Sequence, residues 1–226
     1  MKPAIVAVCG FTSDTGKTTL VCELLRALGG GWEAIKMSRG HYRSCGKDPH
    51  ACCLSPLLGA EPLIRSGRAE TYARGKDTGR FWEAGASDVH WAIVTDRQVE
   101  AGFRTALARV RSPGVLVEGN SFLRFVEADF ALMVARPDRQ QIKPSARRVL
   151  AKASALYLSD GGHAINDSTR RGFDTWMRES GLAELTSRAP VYTRENLPRL
   201  VARLASFIGT QGATCEADEQ PAAFHA

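Results

Sequence analysis

Short apolar runs alternate with amphipathic stretches along most of the chain. Residues 4–8 are uninterruptedly apolar, the pattern of a strand buried on both faces. Residues 17–28 place Leu20, Leu24, Leu25 and Leu28 on one helical face, and Gly29-Gly30-Gly31 ends the helix. Further strands are predicted at 32–37, 89–95, 115–117, 130–134, 155–158 and 191–193. Helices are predicted at 78–84, 98–110, 145–152 with Ser145 as its cap, 171–179 and 195–208. Residues 38–75, rich in Gly, Pro, Cys and Arg, carry no sustained period and read as a long insertion loop. From Gly209 onward the chain is small and polar, the composition of a disordered tail. Strand and helix in alternation predict an α/β fold: one domain over 1–208, with a mostly parallel sheet covered by helices on both faces as three α/β/α layers. Ligands of such a sheet bind at the carboxyl ends of its strands.

The chemistry begins where the first strand ends. Gly10-Phe11-Thr12-Ser13-Asp14-Thr15-Gly16-Lys17-Thr18-Thr19 joins that strand to the first helix, the context in which a phosphate-binding loop works. Gly10 and Gly16 let the backbone curl so that successive N–H groups face an anion, and the helix start adds its own unpaired N–H groups. Lys17 would reach the β- and γ-phosphates, and the Thr18 hydroxyl would ligate Mg²⁺. The usual loop has four residues between its glycines. Here there are five, and Phe11 stands where that shorter spacing would put a glycine. The pattern Gly-x-Thr-x-x-x-Gly-Lys-Thr resembles the loop of dethiobiotin synthetase and cobyric acid synthase. These residues predict a nucleotide-binding P-loop NTPase fold.

Val115-Leu116-Val117-Glu118-Gly119-Asn120 ends a buried strand in a carboxylate. Such a strand can deliver a Mg²⁺ ligand to the sheet's carboxyl edge, directly or through water. A strand-end surface Glu is the plainer alternative, and Gly119 weighs against it by letting the backbone pass close to phosphates. Asp77 opens a predicted helix, where a simple interaction with the helix dipole would also account for an acid.

Gly75-Lys76-Asp77-Thr78, then Arg80, Ala84-Gly85-Ala86 and Val89, lie between the P-loop and Val117-Glu118-Gly119. Together with Ala34-Ile35-Lys36 this order resembles the molybdopterin-guanine dinucleotide biosynthesis adaptor family, protein B (MobB), over roughly residues 4–135. The resemblance implies binding of GTP or ATP with Mg²⁺, weak NTPase activity and a partner in molybdenum-cofactor biosynthesis. By the same resemblance Lys17 and Thr18 take the P-loop roles, Asp77 and Glu118 lie near the metal, and Lys36 faces the cleft. Three departures accompany it: the longer loop, Met37-Ser38-Arg39 after Lys36 where the family has His and Asp, and the insertion before Gly75. An ATP-dependent ligase or kinase of dethiobiotin synthetase type, acting on a small anionic metabolite, is the alternative activity. No Asn-Lys-x-Asp guanine reader stands at an expected place, so ATP and GTP both stay open.

Inside the insertion His41, Cys45, His50, Cys52 and Cys53 supply five borderline or soft ligands. Zn²⁺ takes four such ligands, and a nucleotide-gated metal-trafficking protein is the reading they favour. The lack of a Cys-x₂-Cys knuckle leaves a redox pair or ordinary loop residues open. Cysteines away from a disulfide framework, and the lack of a membrane-length apolar stretch, predict a cytoplasmic protein. The formal charge is +6, but its 30 Lys and Arg are spread without a basic run. Phosphate-bearing small ligands therefore account for the excess, and neither nucleic acid nor membrane is expected as a partner. A homodimer is a further expectation.

Overall fold

The apolar run at the amino terminus becomes β1, Ala4–Gly10, and all of its residues are buried. Its odd-numbered side chains, Ile5, Ala7 and Cys9, face one core cluster, while Val6 and Val8 face another. That double burial is why the strand reads as continuous rather than alternating. The computed structural model, which describes residues 2–40, 57–162 and 165–213, places β1 inside an eight-stranded sheet. β5 (Gly114–Glu118) pairs with one side of β1 and β6 (Phe130–Ala135) with the other. β2 (Trp32–Arg39) lies beyond β5, and β4 (Val89–Val94) beyond β2. On the far side β7 (Ala155–Leu158) and β8 (Val191–Tyr192) continue from β6. These pairings are parallel. The remaining strand, β3 (Leu63–Ser66), runs antiparallel on the β4 edge, giving the order β3-β4-β2-β5-β1-β6-β7-β8.

Helices cover both faces, as the alternation predicts. α1 (Lys17–Leu28), α3 (Asp77–Glu83, through Phe81) and α7 (Leu197–Ala213, through Leu200 and Leu204) pack over Val6, Val8, Leu132 and Val134. α4 (Val99–Leu107) and α6 (Asp167–Glu179) bring Phe103, Phe173 and Met177 over Ile5, Ala7, Ile35 and Met133. The short α2 (Arg68–Thr71) and α5 (Pro144–Arg147) complete the set.

Four elements differ from expectation, each for a local reason. The segment 38–75 contains the end of β2, then β3 and α2; β3 is four residues long, too short to show a period in sequence. Ser145 does not cap its helix. Lys143 is the N-cap residue and Pro144 the first helical one, where its fixed φ suits the turn, and a separate 3₁₀ turn covers Leu150–Lys152. α6 starts at Asp167 because Asn166 Oδ1 accepts from the Thr169 N–H at 2.8 Å, so Asn166 is an N-cap. α7 runs on to Ala213 instead of stopping at 208; residues 214–226, Cys215 among them, lie outside the described residues.

The amino ends of the strands are tied by a buried polar group. Glu33 Oε1 accepts from the N–H groups of Arg111 (2.7 Å) and Ser112 (2.8 Å), while Oε2 meets His90 Nε2 at 2.7 Å. His90 Nδ1 lies 2.9 Å from Ser66 Oγ, which brings β2, β3, β4 and the approach to β5 into one network. Burial works to raise the Glu33 pKa, but the bonds from His90, Arg111 and Ser112 outweigh it and hold it below the ordinary carboxylate value. The stability it contributes is present above its unfolded pKa and is lost as pH falls through the lowered one. Glu33→Ala should therefore cost about 3 kcal/mol in urea unfolding, by removing the acceptor of His90 Nε2 and of two backbone donors. It should also flatten the acid limb of stability against pH.

Candidate functional site

The P-loop is shaped by what its backbone lacks. A Cβ on Gly10 would sit 2.5 Å from Thr15 Oγ1 and 2.7 Å from Lys17 Cδ. Gly16 has φ +88°, and a Cβ there would sit 2.6 Å from Ser159 Oγ. Asp14 also lies in the left-handed region, at φ 54°, a conformation short polar side chains tolerate. Phe11, the residue standing in place of a glycine, is 1% exposed. Its ring packs on Phe173 and Trp176 of α6, with centroids 6.1 and 6.2 Å away. The longer loop thus plants an aromatic anchor at its start. Within the loop Lys17 Nζ donates to the Thr12 carbonyl at 3.1 Å.

The end of β1 is locked to the end of β5. Asn120 Oδ1 accepts from Gly10 N at 2.9 Å, and Asn120 Nδ2 donates to Gly10 O, also at 2.9 Å. Cys9 Sγ, buried at the strand end, donates to Gly119 O at 3.1 Å. Gly119 lines the cleft and also has a packing role. A Cβ there would lie 2.9 Å from Met37 Cβ, so its smallness lets β2 approach.

Beside the loop four side chains from four elements converge. Thr18 Oγ1, from α1, donates to Glu118 Oε2 at 2.9 Å. Lys36 Nζ, from β2, lies 2.5 Å from Glu118 Oε1 and 2.6 Å from Asp77 Oδ2. Glu118 is 2% exposed, whereas the Asp77 side chain is 43% exposed and opens toward solvent. Burial opposes the charge of Lys36, but Glu118 and Asp77 outweigh it and raise its pKa above the ordinary lysine value. Burial would likewise raise that of Asp77, yet the Lys36 charge and the bonds from Lys36 and Thr18 lower it overall. The Lys36 ammonium thus lies between both carboxylates and offsets their charge.

The predicted residues Lys17, Thr18, Lys36, Asp77 and Glu118 are thus brought together. They line a cleft of about 910 Å³ with Ser13, Asp14, Thr15, Gly16, Thr19 and Gly119. Gly10 lies buried beneath it, and Thr12 lines a shallower neighbouring groove. His41, Cys45, His50, Cys52 and Cys53 lie outside the described residues. The oxygen donors Thr18, Asp77 and Glu118 fit a hard cation such as Mg²⁺, and the loop's N–H groups and Lys17 fit a polyphosphate. Arg39, Arg80, Arg136 and Lys143 also line the cleft. Arg39 pairs with Asp96 at 3.0 Å, Arg136 pairs with Asp138, and Arg80 donates to Thr19 Oγ1 at 3.2 Å. Arg39, Arg136, Lys143 and Asn120 were not evident as site residues in sequence, because each reaches the cleft by a long-range contact. Position at a strand's carboxyl end is a signal for Arg39, Asn120 and Arg136, and Lys143, well beyond the end of β6, lacks it.

No protein-family model matches the chain, and neither does any curated protein. Among solved structures, that of HypB from Helicobacter pylori in complex with nickel is similar, with a TM-score of 0.50 and 11% identity. The match covers 99% of this chain and 92% of that one. At that identity the likeness is one of fold. The chain has the P-loop NTPase fold, a mostly parallel sheet with helices on both faces and a loop between its central strand and first helix.

Replacing Lys36 by Met should leave Glu118 and Asp77 facing each other uncompensated. The expected loss of stability is at most about 3 kcal/mol, the low end for a broken buried pair, since Asp77 reaches solvent. Mg²⁺ alone should then raise the melting temperature of Lys36→Met while leaving that of the wild type nearly unchanged.

Proposed function

We propose that the chain binds GTP or ATP with Mg²⁺ and hydrolyses it slowly, as a MobB-like adaptor in molybdenum-cofactor biosynthesis. The observation that carries the nucleotide reading is the convergence of Thr18, Lys36, Asp77 and Glu118 beside the P-loop. Mg²⁺ held by Thr18, Asp77 and Glu118 would offset charge on the β- and γ-phosphates. Lys17 would exchange the Thr12 carbonyl for those phosphates, a short swing for an ammonium already in the cleft. With Mg²⁺ held by Asp77 and Glu118, Lys36 would be free to pair with the same anion. Phosphoryl transfer rests on such positioning and charge stabilisation, together with a group that orients the attacking water. Among the described residues lining the cleft there is no Gln or His, and Asn120 is committed to Gly10. This supports slow turnover. The adaptor role is supported by the ordered Ala34-Ile35-Lys36, Gly75-Lys76-Asp77-Thr78 and Val117-Glu118-Gly119 segments.

A second reading, nucleotide-gated metal trafficking, is favoured by the nickel bound in the HypB structure together with the ligand-rich residues His41 to Cys53. Elemental analysis of protein purified without chelators separates the two. Bound Zn²⁺ or another transition metal that is lost on adding nucleotide supports trafficking, and metal-free protein with freely titrating thiols removes it.

Lys17→Ala should abolish tight nucleotide binding in a calorimetric titration while leaving the melting curve in place, because only the point charge on the phosphates is lost. Wild-type affinity in this variant would contradict the nucleotide reading. Asp77→Asn and Glu118→Gln should lower Mg²⁺-dependent turnover by roughly a hundredfold, the order seen when a metal-site partner is removed, with a smaller effect on affinity. Unchanged turnover in both would make these acids structural.

A further inference from the structure

Among the described cations lining the cleft, Lys143 is the one without a hydrogen-bond or ion-pair partner. Lys36 is held by Asp77 and Glu118, Arg39 by Asp96 and Arg136 by Asp138, while Arg80 donates to Thr19 and Lys17 to Thr12. The Lys143 ammonium has no hydrogen-bond or ion-pair partner among the described residues. Its position is nevertheless fixed. The backbone N–H of Lys143 donates to the Phe11 carbonyl at 2.8 Å, and Phe11 is anchored on α6. Pro144 then turns the chain away into α5. Residue 143 is therefore tied to the start of the P-loop, and its side chain lines the nucleotide cleft.

The charges around it come from three strands and the loop. Burial is the main influence on Lys143, followed by the like charges of Lys17 and Arg39; Cys9 and Glu118 act in the other direction, and the balance lowers its pKa to about 8. The Cys9 thiol is itself pushed up to about 12 by burial, so it carries no charge near neutral pH. Glu118 is already engaged by Thr18 and Lys36. A half-buried ammonium beside two other cations is unfavourable until an anion joins them. Of the charges that act on it, Glu118 belongs to the cluster with Thr18 and Lys36, and Lys17 to the P-loop beside that cluster.

We infer that Lys143 is a second cation for the terminal phosphate of the bound nucleoside triphosphate, reaching it from the segment after β6 while Lys17 reaches it from the P-loop. The inference rests on the nucleotide reading above and adds to it a way of telling triphosphate from diphosphate. Lys17 would also touch the β-phosphate, present in both nucleotides, whereas Lys143 is satisfied only when the terminal group is there. Binding the phosphate raises the pKa of Lys143 above its free value. Its contribution is thus complete below about pH 8 and is lost as pH rises through the raised pKa of the complex. Between the two values, triphosphate binding takes up a proton.

The test is a set of calorimetric titrations of wild type, Lys143→Met and Lys143→Arg with ADP, GDP and the β,γ-imido analogues of ATP and GTP. Titrations are run at about pH 7 and about pH 9, on either side of the value of about 8 for Lys143 in the nucleotide-free protein, in buffers of differing ionisation enthalpy. Lys143→Met should weaken the triphosphate analogue by roughly tenfold or more, the worth of one charge-assisted hydrogen bond, and leave the diphosphate unchanged. Retained diphosphate binding shows that the variant is folded. Lys143→Arg, charged at both pH values, should keep triphosphate binding and abolish the proton uptake at the higher pH. Lys143→Met that binds both nucleotides like the wild type, or loses both equally, overturns the inference while leaving nucleotide binding intact. A wild type that binds neither nucleotide overturns the nucleotide reading and this inference together.

Discussion

A single ammonium, Lys36 Nζ, lies between the carboxylates of Asp77 and Glu118, and the site depends on the charge balance it sets. Glu118 is buried at the end of β5 and also accepts the Thr18 hydroxyl, so three elements close on one carboxylate. Asp77 begins α3, and its bond to Lys36 helps dock that helix beside α1, where Arg80 reaches Thr19 and Cys22 Sγ contacts Arg80 O at 3.5 Å. Two carboxylates this close repel unless a positive charge lies between them. The fold therefore contains a place that must hold a cation, with oxygen ligands arranged around it. In the proposed reading a divalent ion held by the two carboxylates would take the place of the internal lysine, which would then be free to meet a phosphate.

The loop beside this centre is held at its ends and polar in its middle. Asn120 fixes both backbone groups of Gly10, and Phe11 is buried on α6 with its carbonyl bonded to Lys143 N. Beyond it, Ser13 and Asp14 are exposed, and Lys17 rests on a carbonyl it can leave at small cost. Such an arrangement keeps the N–H groups pointed at an anion while letting side chains exchange internal partners for it. The Glu33–His90 network at the opposite, amino-terminal ends of β2 and β4 steadies the same strands without contributing to the cleft.

The parts of this architecture carried by contiguous residues were legible in the sequence. β1 is a continuous apolar run, α1 has the helical period, and Gly10 to Thr18 lies between them, so the P-loop and its Lys17 and Thr18 followed directly. Glu118 was legible because a buried strand ends on it. Lys36 and Asp77 were less so: an ordinary strand lysine and a helix-start acid look the same until they meet, and the family resemblance brought them forward. Lys143, Arg39 and Asn120 were not legible as site residues, since their roles arise from contacts between segments remote in sequence. Other misses were local. Asn166 starts α6 one residue later, well before the apolar pattern at Phe173 begins, and β3 is too short to reveal a period.

The account is tested most directly by a crystal structure with a slowly hydrolysed triphosphate analogue and Mn²⁺ in place of Mg²⁺, the ion being located by its anomalous scattering. The predicted result is Mn²⁺ bound to Thr18 Oγ1 and phosphate oxygens, with Asp77 and Glu118 around it. Lys36 Nζ should have moved off Glu118 toward the phosphates. Nucleotide bound away from the P-loop, or bound there without an ion and with the Lys36–Glu118 pair intact, would contradict it.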